Sequence, residues 1–219
     1  MRPEFDSRHP DRIVMVHKPT VEAYNKIAKE FHSRNAVSVY TNEYGTFTDL
    51  VGKGSKIIEI GCGTGRDAEE LVKLGFDYTG IDASKGMLEI AKSRVKEGKF
   101  EIDDFYKLKF ADENFDGFWA AASLLHVPKK EIDKVIIEIK RVIKKDGIGF
   151  ISLKQKTVLD EGVIKESKSG GIERYFSFYV KNEFKDILER NGFSVLNIVK
   201  QQEDDKDQTI WICYFVKKI

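Results

Sequence analysis

Residues 57–67 read "IIEIGCGTGRD", with Gly61, Gly63 and Gly65 alternating directly after a short apolar run. Glu59 stands two residues before the first glycine, and Asp82 follows about twenty residues on, in "YTGIDAS". A glycine loop brings backbone close to a ligand, because no side chains stand where the ligand would cross. A carboxylate at the end of the next strand can accept hydrogen bonds from both hydroxyls of a ribose. A third candidate is His126, in "SLLHVP". Histidine titrates near neutrality, so it could take a proton from a bound substrate, or it could cap the helix expected from 129.

The loop alone does not choose its ligand, but what it lacks weighs against two of three candidates. A P-loop requires G-x-x-x-x-G-K-[ST], and no lysine follows these glycines. A dinucleotide fingerprint requires G-x-G-x-x-G; Gly61 and Gly63 fit, but residue 66 is arginine and the third glycine comes one residue early. S-adenosylmethionine, which carries adenine and ribose without phosphate, is the remaining option. The residues alone leave a nicotinamide-dependent oxidoreductase and a non-catalytic nucleoside-binding module open as alternatives.

Positioning these groups requires strands that end where the loops begin. Residues 1–18 are charged and aperiodic and read as a flexible lead-in. From Thr20, a plausible N-cap, Val21, Tyr24, Ile27, Ala28 and Phe31 recur at helical spacing. A weaker helix covers 37–51. Strands and helices then alternate: strands at 56–60, 78–81, 100–102, 115–121 and 148–153, helices at 66–74, 84–95 and 129–144. This pattern predicts a mostly parallel sheet with right-handed crossovers. After a helix at 181–191, two strands (193–201 and 208–218) are joined by a short polar link, which places one of them antiparallel. Residues 154–173 show no period and read as a long surface loop on the acceptor side.

Taken together, "IIEIGCGTGRDAEELVKLGFDYTGIDASKGMLEIAKSRV" resembles the cofactor half of class I S-adenosylmethionine-dependent methyltransferases of the small-molecule type. The likeness continues through "DDFYKLKF", "FDGFWAAASLLHVP" and "IKRVIKKDGIGFISL", about residues 56–200, although "KKDG" stands where the family usually writes a proline and paired glycines. The resemblance implies a Rossmann-like α/β fold. Its sheet is seven-stranded and mostly parallel, with one antiparallel strand near the C-terminus, helices on both faces and an N-terminal helical addition. Residues 19–219 would form one domain, with a helical cap at 19–52. It further implies that Gly61, Cys62 and Gly63 line the methionine moiety with backbone, while Glu59 braces the loop or is simply a satisfied strand carboxylate. Asp82 would bind the ribose, and Ala83 and Met87 would pack near adenine. Asp104, with the Phe105 amide, would address the adenine amino edge, with Asp103 as the alternative. Ala120 and Ala121 would border the methionine part, and Tyr24 would lie on the helix that covers the cofactor. His126 would face the acceptor, walled by "RYFSFYV" at 174–180.

Bulk properties narrow the partners. The 219 residues carry 37 basic and 36 acidic side chains, a net charge of +1 that gives no electrostatic footprint for nucleic acid. Two cysteines, Cys62 and Cys213, make neither a disulfide framework nor a metal cluster. The charged N-terminus "MRPEFDSRHPDR" has no apolar core of the secretory kind, and no apolar run reaches the roughly 18–20 residues that span a bilayer. The expectation is a cytoplasmic enzyme, monomer or homodimer, acting on a small molecule.

Overall fold

A computed structural model describes residues 17–35, 37–38, 40–165, 171–202 and 209–219. The expected lead-in therefore lies, apart from His17 and Lys18, outside the described residues. Helix α1 (Lys18–Arg34) begins before Thr20, because Pro19 sits in the first turn, where its missing N–H costs nothing. Thr20 is thus no N-cap: it is buried, and its hydroxyl accepts the Tyr175 amide at 3.0 Å. Helix α2 spans Thr41–Val51.

The alternating segment follows as β1 (Lys56–Ile60), α3 (Arg66–Lys73), β2 (Asp77–Asp82), α4 (Lys85–Arg94), β3 (Lys99–Ile102), β4 (Phe115–Ala121), α5 (Ile132–Val142) and β5 (Ile143–Lys154). The helix expected over 129–144 is divided: a short 3-10 turn covers Lys129–Glu131, and α5 ends at Val142 because Ile143 already pairs with Phe115. Beyond lie β6 (Glu161–Lys165), β7 (Glu173–Ser177), α6 (Lys181–Arg190), β8 (Phe193–Gln202) and β9 (Ile210–Lys218).

Seven strands form one sheet in the order β3-β2-β1-β4-β5-β9-β8. All neighbours are parallel except where β9 meets β5 and β8, so β9 alone runs against the rest. The chain winds from β1 out to β3, returns to β4 and continues the other way. Right-handed crossovers therefore put α3 and α4 on one face and α5 on the other. Strand β1 is buried along Ile57, Ile58 and Ile60, as expected of a parallel strand covered on both sides. Trp119, stacked on Phe150 at 3.8 Å between centroids, anchors the core beside it.

Part of the expected surface loop is structured. Glu161–Lys165 pairs antiparallel with Glu173–Ser177, from Glu161 opposite Ser177 to Lys165 opposite Glu173; residues 166–170 lie outside the described set. The strand is half-exposed, so its sequence carries little apolar period. No described helix is long and apolar enough to cross a membrane.

Candidate cofactor and acceptor site

The strand order reverses between β1 and β4, and an open α/β sheet binds its ligand in the crevice outside the strand ends at that point. An open crevice of about 940 Å³, open solvent included, lies there. Its floor is the loop after β1. The amides of Gly61 and Cys62 both donate to the Ile81 carbonyl at 2.9 Å, tying the loop to the end of β2. Gly61 has φ +77°, and a Cβ there would come within 2.5 Å of the Ser123 Cβ. Gly65, also at φ +77°, would press a Cβ against Ala91 of α4 at 3.1 Å. The spacing of these two glycines is therefore set by packing on both sides of the loop.

Asp82 ends β2 with its carboxylate on the cavity wall. One oxygen accepts the Gly63 amide at 2.9 Å and the other the Ser84 amide at 2.8 Å. Burial raises its pKa, and the two amides partly offset that. Each oxygen keeps a lone pair for a further donor. Glu59 reaches the same wall from the middle of β1 and accepts a short hydrogen bond from the Tyr78 hydroxyl. Burial, with the negative charge of Asp67 nearby, pushes it up to about 8. Burial also holds the Cys62 thiol well above its usual range, so it is protonated and unreactive.

Ala83, Met87, Asp103, Phe105 and Ala121 line the cavity as expected, but Asp104 and Ala120 do not. Asp104 is a turn residue: its Oδ1 takes the Tyr106 amide two positions on, at 2.9 Å. The expected alternative, Asp103, takes the cavity position, with its carboxylate accepting the Asp104 and Lys109 amides at 2.9 and 3.1 Å. Ala120 is fully buried in the core, since adjacent strand residues face opposite ways and Ala121 takes the cavity side.

On the opposite wall, α1 supplies Tyr24 and the 3-10 turn Leu124–His126 supplies His126. His126 Nδ1 lies 2.6 Å from the Tyr175 carbonyl, which can only accept, so Nδ1 carries the proton. Nε2 therefore accepts from the Tyr24 hydroxyl at 2.7 Å. Arg174 Nη1 donates to that hydroxyl at 2.7 Å. Burial lowers the His126 pKa to about 3, so the ring is neutral. The residue expected to meet a substrate directly thus has both ring nitrogens engaged, and Tyr24 stands before it. The segment 174–180 supports His126 from behind: Phe176 packs on its ring at 4.8 Å, and none of the segment lines the cavity.

Sequence reasoning missed Arg66, Asp67, Thr64, Ser84 and Ser123 in the cavity wall. Ser123 Oγ is buried and, among the described residues, has no hydrogen-bond partner. Arg66 carried a usable signal, a cation in the first turn of a helix, where the macrodipole disfavours it. The cavity therefore offers acids at Glu59, Asp67, Asp82 and Asp103, a glycine cradle and an orphaned hydroxyl. That set fits a nucleoside bearing an amino acid and a cationic centre, and it offers no cluster of basic side chains for phosphates.

Residues 57–147 match the family model described as "Methyltransferase domain". That match and the relatives below support a class I S-adenosylmethionine-dependent methyltransferase. It is 28% identical over 209 residues to the ubiquinone biosynthesis O-methyltransferase of Pelagibacter ubique, covering 82% of this chain and 85% of that one. It is 25% identical over 201 residues to the methyltransferase GfsG of Streptomyces halstedii, covering 86% of this chain but only 65% of the relative's length. Among solved structures, the 1,6-didemethyltoxoflavin-N1-methyltransferase of Burkholderia thailandensis, with bound S-adenosylhomocysteine, shares the fold. Its TM-score is 0.68 at 15% identity, with 99% and 98% of the two chains covered.

Proposed function

We propose that the protein transfers a methyl group from S-adenosylmethionine to an oxygen, nitrogen or sulfur atom of a small-molecule acceptor. One observation carries this reading: the Asp82 carboxylate and the glycine loop share a single cavity with the Tyr24–His126 pair. Asp82 holds the ribose hydroxyls, Asp103 and the Phe105 amide meet the adenine edge, and Ala83 and Met87 pack beside it. Gly61, Cys62, Gly63 and Ala121 border the methionine part, and Glu59 braces the loop from below.

When bound, S-adenosylmethionine supplies an electrophilic methyl group, and the protein contributes proximity and orientation. Tyr24 is the acceptor-side group. Its own proton points to His126 Nε2 and its oxygen accepts from Arg174 Nη1, so the hydroxyl is held in one orientation on the acceptor side. His126 is a positioning residue, fixed by the Tyr175 carbonyl so that Tyr24 keeps this orientation. The β6–β7 pair, joined to α1 through Thr20 and to Tyr24 through Arg174, supports the acceptor side from behind without lining the cavity.

Calorimetry with S-adenosylhomocysteine and NAD, followed by a radiolabelled-methyl screen of metabolite pools, tests the reading. One-to-one heat with S-adenosylhomocysteine is expected; none, alongside tight NAD binding, overturns it. With an acceptor in hand, Tyr24→Phe and His126→Ala should each slow transfer about ten- to a hundredfold. The double variant should be no slower than either alone, because both remove the same hydrogen bond. Multiplying effects would assign the two side chains separate roles.

A further inference from the structure

Ser123 follows β4 and opens the 3-10 turn Leu124–His126, at the position where a serine side chain ordinarily caps. Ser84, at the start of α4, shows the usual pattern: its hydroxyl accepts the Met87 amide at 3.2 Å. The Ser123 side chain caps nothing, and only its carbonyl serves the turn, accepting the His126 amide at 3.1 Å. The residue is 6% exposed, and among the described residues its Oγ has no hydrogen-bond partner. A buried hydroxyl with nothing to bond destabilises a fold, and native chains keep few of them.

The backbone makes room for this side chain in two places. Ala122, just before it, has φ +54°, a left-handed conformation that a residue with a Cβ adopts at a cost. The Ala122 amide is held there by the Ser152 hydroxyl at 3.0 Å and the Ser152 carbonyl at 3.2 Å. Facing it, Gly61 presents a bare α-carbon, where a Cβ would lie 3.3 Å from the Ser123 Oγ and closer still to its Cβ. Ser123 thus sits against the glycine loop, three residues before the His126 that holds Tyr24, and all of these line one cavity.

We infer that Ser123 is a substrate-binding residue whose hydroxyl hydrogen-bonds the acceptor atom that receives the methyl group. The inference rests on the proposed function, in which the glycine loop borders the methionine part and Tyr24 the acceptor, with Ser123 between them. One proton and two lone pairs let a hydroxyl meet an O–H, an N–H or an ionised oxygen. Because Oγ is already withdrawn from water, that bond displaces none to solvent. A carbon nucleophile in the same place would leave the hydroxyl unmatched, so Ser123 favours oxygen and nitrogen acceptors over carbon.

Three measurements on the full chain test this with Ser123→Ala, which removes only the oxygen. The ligand-free variant should melt at or above the parental temperature, because it loses an unmatched hydroxyl. Calorimetry should find S-adenosylhomocysteine bound within twofold of the parent. Methyl transfer from tritium-labelled S-adenosylmethionine into a dialysable metabolite extract should fall about ten- to a hundredfold, the effect of one hydrogen bond at a buried site. A lowered melting temperature would give Oγ a structural role, and S-adenosylhomocysteine weakened more than twofold would assign it to the cofactor. Labelling by the variant at the parental rate would leave it no role in transfer. Each of these overturns the inference while the parent still labels the extract. If the parent labels nothing, the small-molecule reading itself fails, and this inference with it.

Discussion

At the scale of single residues, Asp82 does two jobs with one carboxylate. It faces the cavity, where the proposed function puts a ribose, and it also holds the Gly63 amide, so the glycine loop depends on it before any ligand arrives. Two hydrogen bonds from a ligand to a charged group contribute roughly 1.5–3 kcal/mol each. Asp82→Ala should therefore weaken S-adenosylhomocysteine about ten- to a thousandfold after water replaces part of the loss. The ligand-free protein should melt lower as well, since the loop loses its brace. Asp82→Asn retains an acceptor and should be milder in both. Paired calorimetry and thermal melts decide it: unchanged affinity in Asp82→Ala removes the ribose assignment. Asp82 was legible in the sequence because its distance from the glycines is a property of two short strands and one helix. The choice between Asp103 and Asp104 was not, because either can end a strand and only the turn to Tyr106 tells them apart. Arg66 and Asp67 were not read either: adjacent opposite charges on an amphipathic helix look like solvated surface until Tyr44 and Trp119 are found bonded to Asp67.

Among the elements, α1 is attached to the rest by few but directed contacts. Asn25 is exposed, yet its Oδ1 accepts from the Ser84 hydroxyl and the Gly86 amide, both at 2.8 Å, at the start of α4. Gly86 permits this approach: a Cβ there would lie 3.1 Å from the Asn25 carbonyl oxygen. Asn25→Ala should loosen α1, raise tryptic cleavage within 18–34 and weaken S-adenosylhomocysteine about three- to tenfold, two neutral bonds being partly replaced by water. Digestion at the parental rate would show that α1 is held by its apolar face instead. Elements of this kind were the most readable part of the chain wherever local period and punctuation agreed. Strands β1, β2 and β4 and helices α3 and α4 announce themselves by apolar runs ending in glycine or an N-cap serine. Strand β6 does not, because it is half-exposed and has no sustained apolar run. The early end of α5 is likewise decided by the pairing of Ile143 with Phe115, a contact across the sheet.

For the whole molecule, two buried groups pull stability in opposite directions with pH. His126 is neutral when folded, with its pKa lowered from 6.5 to about 3 by burial, so stability falls as pH drops below 6.5 toward 3. Glu59 is raised from 4.5 to about 8 by burial, so the folded state holds a proton that the unfolded chain has lost, and stability falls as pH rises from 4.5 through 8. Burial raises Asp82 and Asp103 in the same sense as Glu59. The ligand-free protein should thus melt highest between about pH 4.5 and 6.5, and Glu59→Gln should flatten the alkaline limb. Calorimetric melts from pH 4 to 9 would show this, and an alkaline limb equally steep in Glu59→Gln would refute it. The placement of β9 has a consequence of a different kind. Strands β1 to β4, with the loops that carry Asp82 and Gly61, precede it in the chain and can form while synthesis continues. Strand β9 is made last of the nine yet lies inside the sheet, between β5 and β8. Until it arrives, β5 ends the sheet with Phe150, Ile151 and Leu153 beside an open edge, and β8 has no neighbour. The emerging polypeptide therefore carries a formed binding crevice next to an unsealed, sticky margin, the interval in which a chaperone has most to protect.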